Sequence, residues 1–162
     1  MGLKTLVESI YLNGGIGIKV VRAAVNDVAG WVTRFTITGG VVSVTSLVAV
    51  RTVNQAGALS TMGWRHSIAG TVLCVAAAIV GDLANTIYTI TGNPLDPLVI
   101  GAAGAPIQGG MMGSPTVGAI QQFGMLMFTG NIQVNMTVVT GGACRFILTY
   151  IPVDPGATVE AV

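Results

Sequence analysis

The chain has 162 residues and a formal net charge of +1, so its overall charge gives no reason to expect a nucleic-acid or strongly acidic partner. Only 8% of its residues are Asp, Glu, Lys or Arg, against about 25% in ordinary soluble domains, while 52% are hydrophobic. A monomer of this size exposes roughly 7,500 Å², and so few charges leave apolar patches that a membrane or other protein subunits must cover.

Protein is the expected cover. The longest uncharged apolar run, residues 67–81, falls short of the about twenty residues a spanning helix needs, and Asp82 follows it. Residues 1–11 carry Lys4 and Glu8 without a small-residue cleavage site, so no secretory leader is read there. Without a secretory context, Cys74 and Cys144 are expected as buried free thiols.

In chain order, residues 1–15 read as an arm, either a short amphipathic helix or an extended segment. Leu3, Leu6, Val7 and Ile10 share its apolar face, and Asn13-Gly14-Gly15 breaks it. The arm precedes the first strand, so it is free to reach a neighbour. Residues 16–25 (IGIKVVRAAV) read as a strand. Residues 30–38 and 41–54 alternate on either side of Gly39-Gly40, which predicts a hairpin. Residues 55–60 are a polar turn, and 61–66 hold Trp64, Arg65 and His66, the histidine read as a surface or interface residue. Residues 68–80 are ambiguous: three consecutive alanines favour helix, while the Val and Ile content and flanking glycines favour strand.

Residues 84–91 read as a strand stopped by Gly92-Asn93-Pro94. Residues 98–118 form a loop of Gly, Ala, Met and Pro without a charge, including Met111 and Met112. Disordered loops in water are polar and charged, so this one is expected to pack on a neighbour. Residues 119–128 read as another strand. Residues 131–154 then give the clearest local pattern, two alternating runs around Gly141-Gly142, predicting a second hairpin ended by Pro152. Its second arm, carrying Arg145 and Ile147, is apolar on both faces, so one face needs a cover outside the domain.

About eight strands punctuated by glycine predict an all-β fold: an antiparallel β-sandwich, jelly-roll-like, over residues 16–162, preceded by the arm at 1–15. Residues 14–19 (GGIGIK) lack both the Ser or Thr of a phosphate loop and the third glycine of a dinucleotide fingerprint. One histidine, two distant cysteines and six scattered acids predict no metal site, no cofactor and no catalytic group. Arg34, Arg51 and Arg145 lie in strands, where they solvate a rim, pair with Asp82 or Asp154, or meet carboxylates of a partner.

The segments FTITGG (35–40), VSVTSL (42–47), YTITGNP (88–94) and RFILTYIPVDPGATV (145–159) resemble small virion proteins of tailed bacteriophages, including capsid decoration, or cement, proteins. The resemblance spans most of the chain from about Lys19 onward. It implies a non-enzymatic accessory β-sandwich on the outside of an icosahedral head. Such a protein binds the major capsid protein as a homo-oligomer, a trimer in many cases, and reaches the virion after assembly in the host cytoplasm. Neither nucleic acid nor membrane is a partner. The residues expected at the interfaces are Leu3, Leu6, Val7, Ile10, Met111, Met112, Arg145 and Ile147. Other classes weighed are a head-fibre base, tail or shell protein, a receptor- or carbohydrate-binding module, and a small membrane-associated protein.

Overall fold

A computed structural model describes residues 17–55, 60–101, 103–104, 124–137 and 141–162. The expected arm at 1–15 and most of the uncharged loop, with Leu3, Leu6, Val7, Ile10, Met111 and Met112, lie outside these residues. The described residues form eleven strands: β1 (Ile18–Asn26), β2 (Gly30–Thr38), β3 (Val42–Val53), β4 (Thr61–His66), β5 (Ala77–Ala78), β6 (Ile87–Thr89), β7 (Val99–Gly101), β8 (Met125–Met127), β9 (Gly130–Met136), β10 (Ala143–Pro152) and β11 (Thr158–Ala161). The ambiguous residues 68–80 are mostly irregular. They contain only a short 3-10 turn, Ile68–Gly70, and β5.

The strands make two antiparallel sheets. Sheet I has the order β1-β10-β3-β6-β7, with β8 also paired to β3; sheet II has the order β11-β2-β9-β4-β5. β1 pairs with β10, β2 with β9, β3 with β6 and β4 with β5. The chain therefore behaves as one long double ribbon. Wrapping the ribbon brings β10 beside β3 and β9 beside β4. That is the strand order of a jelly roll, with β7, β8 and β11 added to the eight ribbon strands.

This topology corrects both expected hairpins. β2 lies in sheet II and β3 in sheet I, and likewise β9 in sheet II and β10 in sheet I. Each Gly-Gly pair is a corner between sheets rather than a hairpin tip. Both uses need positive φ, so local sequence does not separate them. Gly142, at φ +100°, shows the added demand of a corner. A Cβ there would lie 2.6 Å from Arg51 Nη1 and 2.7 Å from Asp27 Oδ2, inside a buried polar cluster. At the other corner the Val41 N–H donates to Asp154 Oδ2 at 2.8 Å, and the Val153 and Asp154 N–H groups donate back to the Val41 carbonyl. The β2–β3 corner is thereby tied to the link between β10 and β11.

Bulges in β1, β2 and β3 shift the faces that strict alternation assigns. In β2 the register slips between Thr33 and Phe35, so Arg34 is the extra residue. Val32 and Phe35 consequently both face inward, and Trp31 moves to the outside with Thr33. In β3 the slip at Thr45 puts Val42, Val44, Leu47 and Ala49 on the inner face and Ser43, Ser46, Val48 and Val50 on the outer one. The core between the sheets is built on Phe35, Leu47, Trp64, Tyr88, Ile132 and Phe146, all fully buried. Trp64 and Phe146 meet edge to face across the two sheets, with centroids 5.7 Å apart.

Candidate assembly surface

The outer face of sheet I carries rows rich in Val and Ile, with one polar row, Lys19–Thr149–Ser46, among them. Opposed residues of antiparallel strands share a face, so the pairings define rows. One row runs Val21–Ile147–Val48–Thr89–Val99 across all five strands. Beside it, Arg145–Val50–Ile87–Gly101 forms a second row. Further along β3, Ile151–Ser43–Leu126 forms a third. Ile147, Val48, Val50, Ile87 and Val99 are half-buried, Thr89 is buried with its hydroxyl donating to the Leu47 carbonyl at 3.0 Å, and Val21 is 45% and Leu126 67% exposed. The charges among the described residues of this face are Arg145 and Lys19, both on the β1–β10 side.

Sheet II presents the opposite chemistry. Its outer rows read Thr33–Gln133–Arg65, Trp31–Asn135–Gly63 and Glu160–Thr36–Asn131. These groups satisfy one another. Arg65 Nε donates to Gln133 Oε1 at 2.8 Å, Gln133 Nε2 donates to Thr33 Oγ1 at 3.3 Å, and Thr36 Oγ1 donates to Asn131 Oδ1 at 3.0 Å. Arg65 also lies over the Trp31 ring, 4.2 Å from its centroid. The sandwich edges differ as well. Where β1 lies beside β11, Arg22 Nε donates to the Val162 carbonyl. Around β5 and the turns that follow, Val72, Val75, Val80, Leu83 and Leu95 are exposed.

The arginines divide three ways. Arg145 is exposed on the outer face of sheet I. Arg51 is fully buried on the inner face of β3, and its Nη1 pairs with Asp27 Oδ2 at 2.8 Å. Its Nε donates to the Tyr88 hydroxyl, which in turn donates to Asp82 Oδ2. The expected link to Asp82 therefore runs through Tyr88, and the direct partner is Asp27. With its amide nitrogen turned inward, Gln55 donates to Asp27 Oδ2 at 3.1 Å and to the Gly141 carbonyl at 2.8 Å. Burial pushes the Cys144 thiol up to about 12, and the Asp27 carboxylate adds to the shift. Burial likewise raises the Tyr88 hydroxyl. These groups close the end of the sandwich where β1, β3, β6 and β10 meet.

Arg34 is also buried. Its guanidinium lies over the Phe146 ring, 4.8 Å from the centroid, and burial followed by the nearby Arg22 charge lowers its pKa. Expecting this residue at a rim overlooked the bulge that turns it inward. His66 is buried rather than at the surface, with Nε2 3.1 Å from the Phe128 carbonyl. Cys74 and Cys144 are both free and buried, as expected.

Comparison with protein families, curated proteins and solved structures finds no match. The surface therefore has to be read from its own chemistry. Among the described residues, no group of three or more His, Cys, Asp or Glu side chains is placed to hold a metal, and no helix is long and apolar enough to cross a membrane.

Of the expected interface residues that are described, Arg145 and Ile147 fall together on sheet I's outer face. Val21, Val48, Val50, Ile87, Val99 and Leu126 share that face and were not singled out in the sequence. A signal for part of it exists: β3 is valine-rich at both parities, as expected of a strand covered on both sides. The pairing that gathers these residues from six strands is not visible in any one segment.

Proposed function

We propose that this chain is a structural virion protein: a capsid decoration protein that binds the outside of an icosahedral phage head as a homo-oligomer and stabilises the major capsid lattice. The observation that supports the reading is a jelly-roll sandwich whose first sheet sets Val21, Ile147, Val48 and Val99 in one row of its outer face. Jelly rolls recur in viral capsid proteins, and exposed apolar residues gathered on one face mark an interaction site. The sparse charge and the sequence resemblance point the same way. The polar outer face of sheet II is suited to water, and the apolar face of sheet I to protein.

In this role the protein acts by mass action rather than chemistry. A ligand that binds only the mature lattice stabilises that lattice, and linked copies add avidity to modest single contacts. The decisive experiment adds the purified chain to mature heads that lack it and locates it by electron cryomicroscopy. Density on the outer shell, together with higher heat resistance of the heads, is the expected result. Density at the tail, or none on the particle, removes the decoration reading. Deleting residues 1–12 tests the arm as the capsid anchor, and unchanged head binding by the shortened chain would count against it.

A second reading, a carbohydrate-binding module, rests on Trp31 on sheet II's outer face beside Arg65, Gln133 and Asn135. Arg65 already lies over that ring. A glycan array without binding disposes of this reading.

A further inference from the structure

We infer that the seam between β1 and β11 is an oxyanion-binding site, with Arg22 of sheet I and Arg34 of sheet II as its arginines and a carboxylate or phosphate group as its ligand. Arg22 lies opposite Phe146 in the β1–β10 register, so it shares the inner face of sheet I with that buried ring. The bulge in β2 turns Arg34 inward from the other sheet, and its guanidinium lies over the same ring, 4.8 Å from the centroid. Two arginines from opposed sheets therefore flank one phenylalanine. β1 and β11 are each the end strand of their sheet, and they lie side by side. The seam between them reaches the surface. Arg22 is half-buried, and Val162, whose carbonyl accepts from Arg22 Nε, is 54% exposed. The Val162 N–H in turn donates to the Arg34 carbonyl at 3.1 Å, which holds the end of β11 beside both arginines.

Charge at the seam is unbalanced. Arg34 is only 5% exposed, and its Nε has no hydrogen-bond partner. A buried donor of this kind is costly until an acceptor meets it. The charge of Arg22 adds repulsion, and the carboxylate that offsets it, Asp27, is bonded to Arg51 Nη1 rather than to Arg34. Among the described residues at this end of the sandwich, Arg22, Arg34 and Arg51 stand against Asp27 and, beyond Tyr88, Asp82. Three arginines against two aspartates leave one positive charge over. Arginine does not shed its proton in a protein, so this charge is met by an anion. Water can satisfy the Nε donor but not the charge. The guanidinium fork matches the paired oxygens of a carboxylate or phosphate, which a halide lacks. Phe146 beneath Arg34 holds the plane of that fork in place before any ligand arrives.

The site does not rest on the virion reading, and its test needs no particle. Isothermal titration of the full-length chain with sodium phosphate and with sodium acetate, each at constant ionic strength against chloride, is expected to show one saturable site. Arg22→Gln and Arg34→Met are each expected to weaken that binding about tenfold or more. Lys19→Gln, which removes a charge from the outer face of the same strand, is expected to leave it unchanged. Arg34→Met also separates a binding role from a structural one. It removes an uncompensated buried charge, so its thermal midpoint in chloride is expected to match or exceed that of the parent chain. The rise in midpoint that the anions give the parent is expected to vanish in this variant. Should Arg34→Met misfold, Arg22→Gln, at a half-buried position, carries the comparison. Tighter binding of phosphate assigns a phosphate group as the ligand, and tighter binding of acetate a carboxylate such as that of an acidic side chain. The proposal is overturned by the absence of saturable binding of either anion, or by binding that survives both substitutions. Equal stabilisation of parent and variants, the general effect of phosphate on folded chains, overturns it as well.

Discussion

The two outer faces of the sandwich are built on strands of similar length and β-propensity, yet they solve opposite problems. On sheet II, Thr33, Gln133 and Arg65 form a chain of hydrogen bonds across three strands. On sheet I the equivalent row holds Val21, Ile147, Val48 and Val99, and its one hydroxyl, on Thr89, is buried and bonded to the Leu47 carbonyl. β10 carries both solutions in one segment: Phe146 is sealed between the sheets, while Ile147, the next residue, faces out. In a sheet the side-chain period is two, so a strand covered on both faces must be apolar at both parities. Apolar outward residues on sheet I thus suit a second cover, and the polar ones of sheet II suit water.

The largest effects are expected inside the sandwich, where both sheets depend on shared burial. Phe146→Ala removes the ring that Trp64 and Arg34 pack against and should cost about 3–5 kcal/mol in urea unfolding. Asp27→Ala leaves Arg51 buried without its carboxylate and should cost a similar amount, about 3–5 kcal/mol. An unfolding midpoint close to that of the parent chain in either variant would show that the sheets are not held together as described. Ile147→Lys sharpens the contrast on β10: folding should change by no more than about 1 kcal/mol, while self-association or head binding is lost. Continued assembly of the Ile147→Lys chain would mean that this face is not the one covered.

Smaller effects are expected on sheet II. Arg65→Ala removes the contact over Trp31 and the bond to Gln133, and should cost about 0.5–1 kcal/mol with assembly intact. Loss of assembly in that variant would reverse the assignment of the two faces.

The pH dependence follows from the buried thiol of Cys144. Its pKa is raised from 9.0 unfolded to about 12 folded, so the folded state holds the proton more tightly. The stability linked to this group is fully present below about pH 9 and is lost as pH rises toward 12. Thermal melts between these limits should show a falling midpoint in the parent chain and a flatter profile in Cys144→Ala. Iodoacetamide should leave Cys144 unmodified at pH 8 until the chain is unfolded, and rapid labelling of the native chain would contradict its burial.

Local sequence was enough for the class of fold. Period-two alternation in residues 131–136 and 143–152, β-branched residues and glycine punctuation are local properties, and each specifies a strand or a turn without reference to the rest of the chain. The scarcity of charge likewise follows from composition alone. Which strands are neighbours was settled by the folded chain. Gly39-Gly40 and Gly141-Gly142 satisfy the same positive-φ requirement in a hairpin or a corner, and only the wrapping of the ribbon makes them corners. The bulges at Arg34 and Thr45 are also set by register against a partner strand, and they turn Arg34 into the core and Trp31 out of it. The apolar face of sheet I combines both levels. Ile147 marked in the sequence a strand apolar at both parities, but only non-local pairing sets Val21, Val48 and Val99 near it, because residues in one row of a sheet are close in space and far apart in the chain.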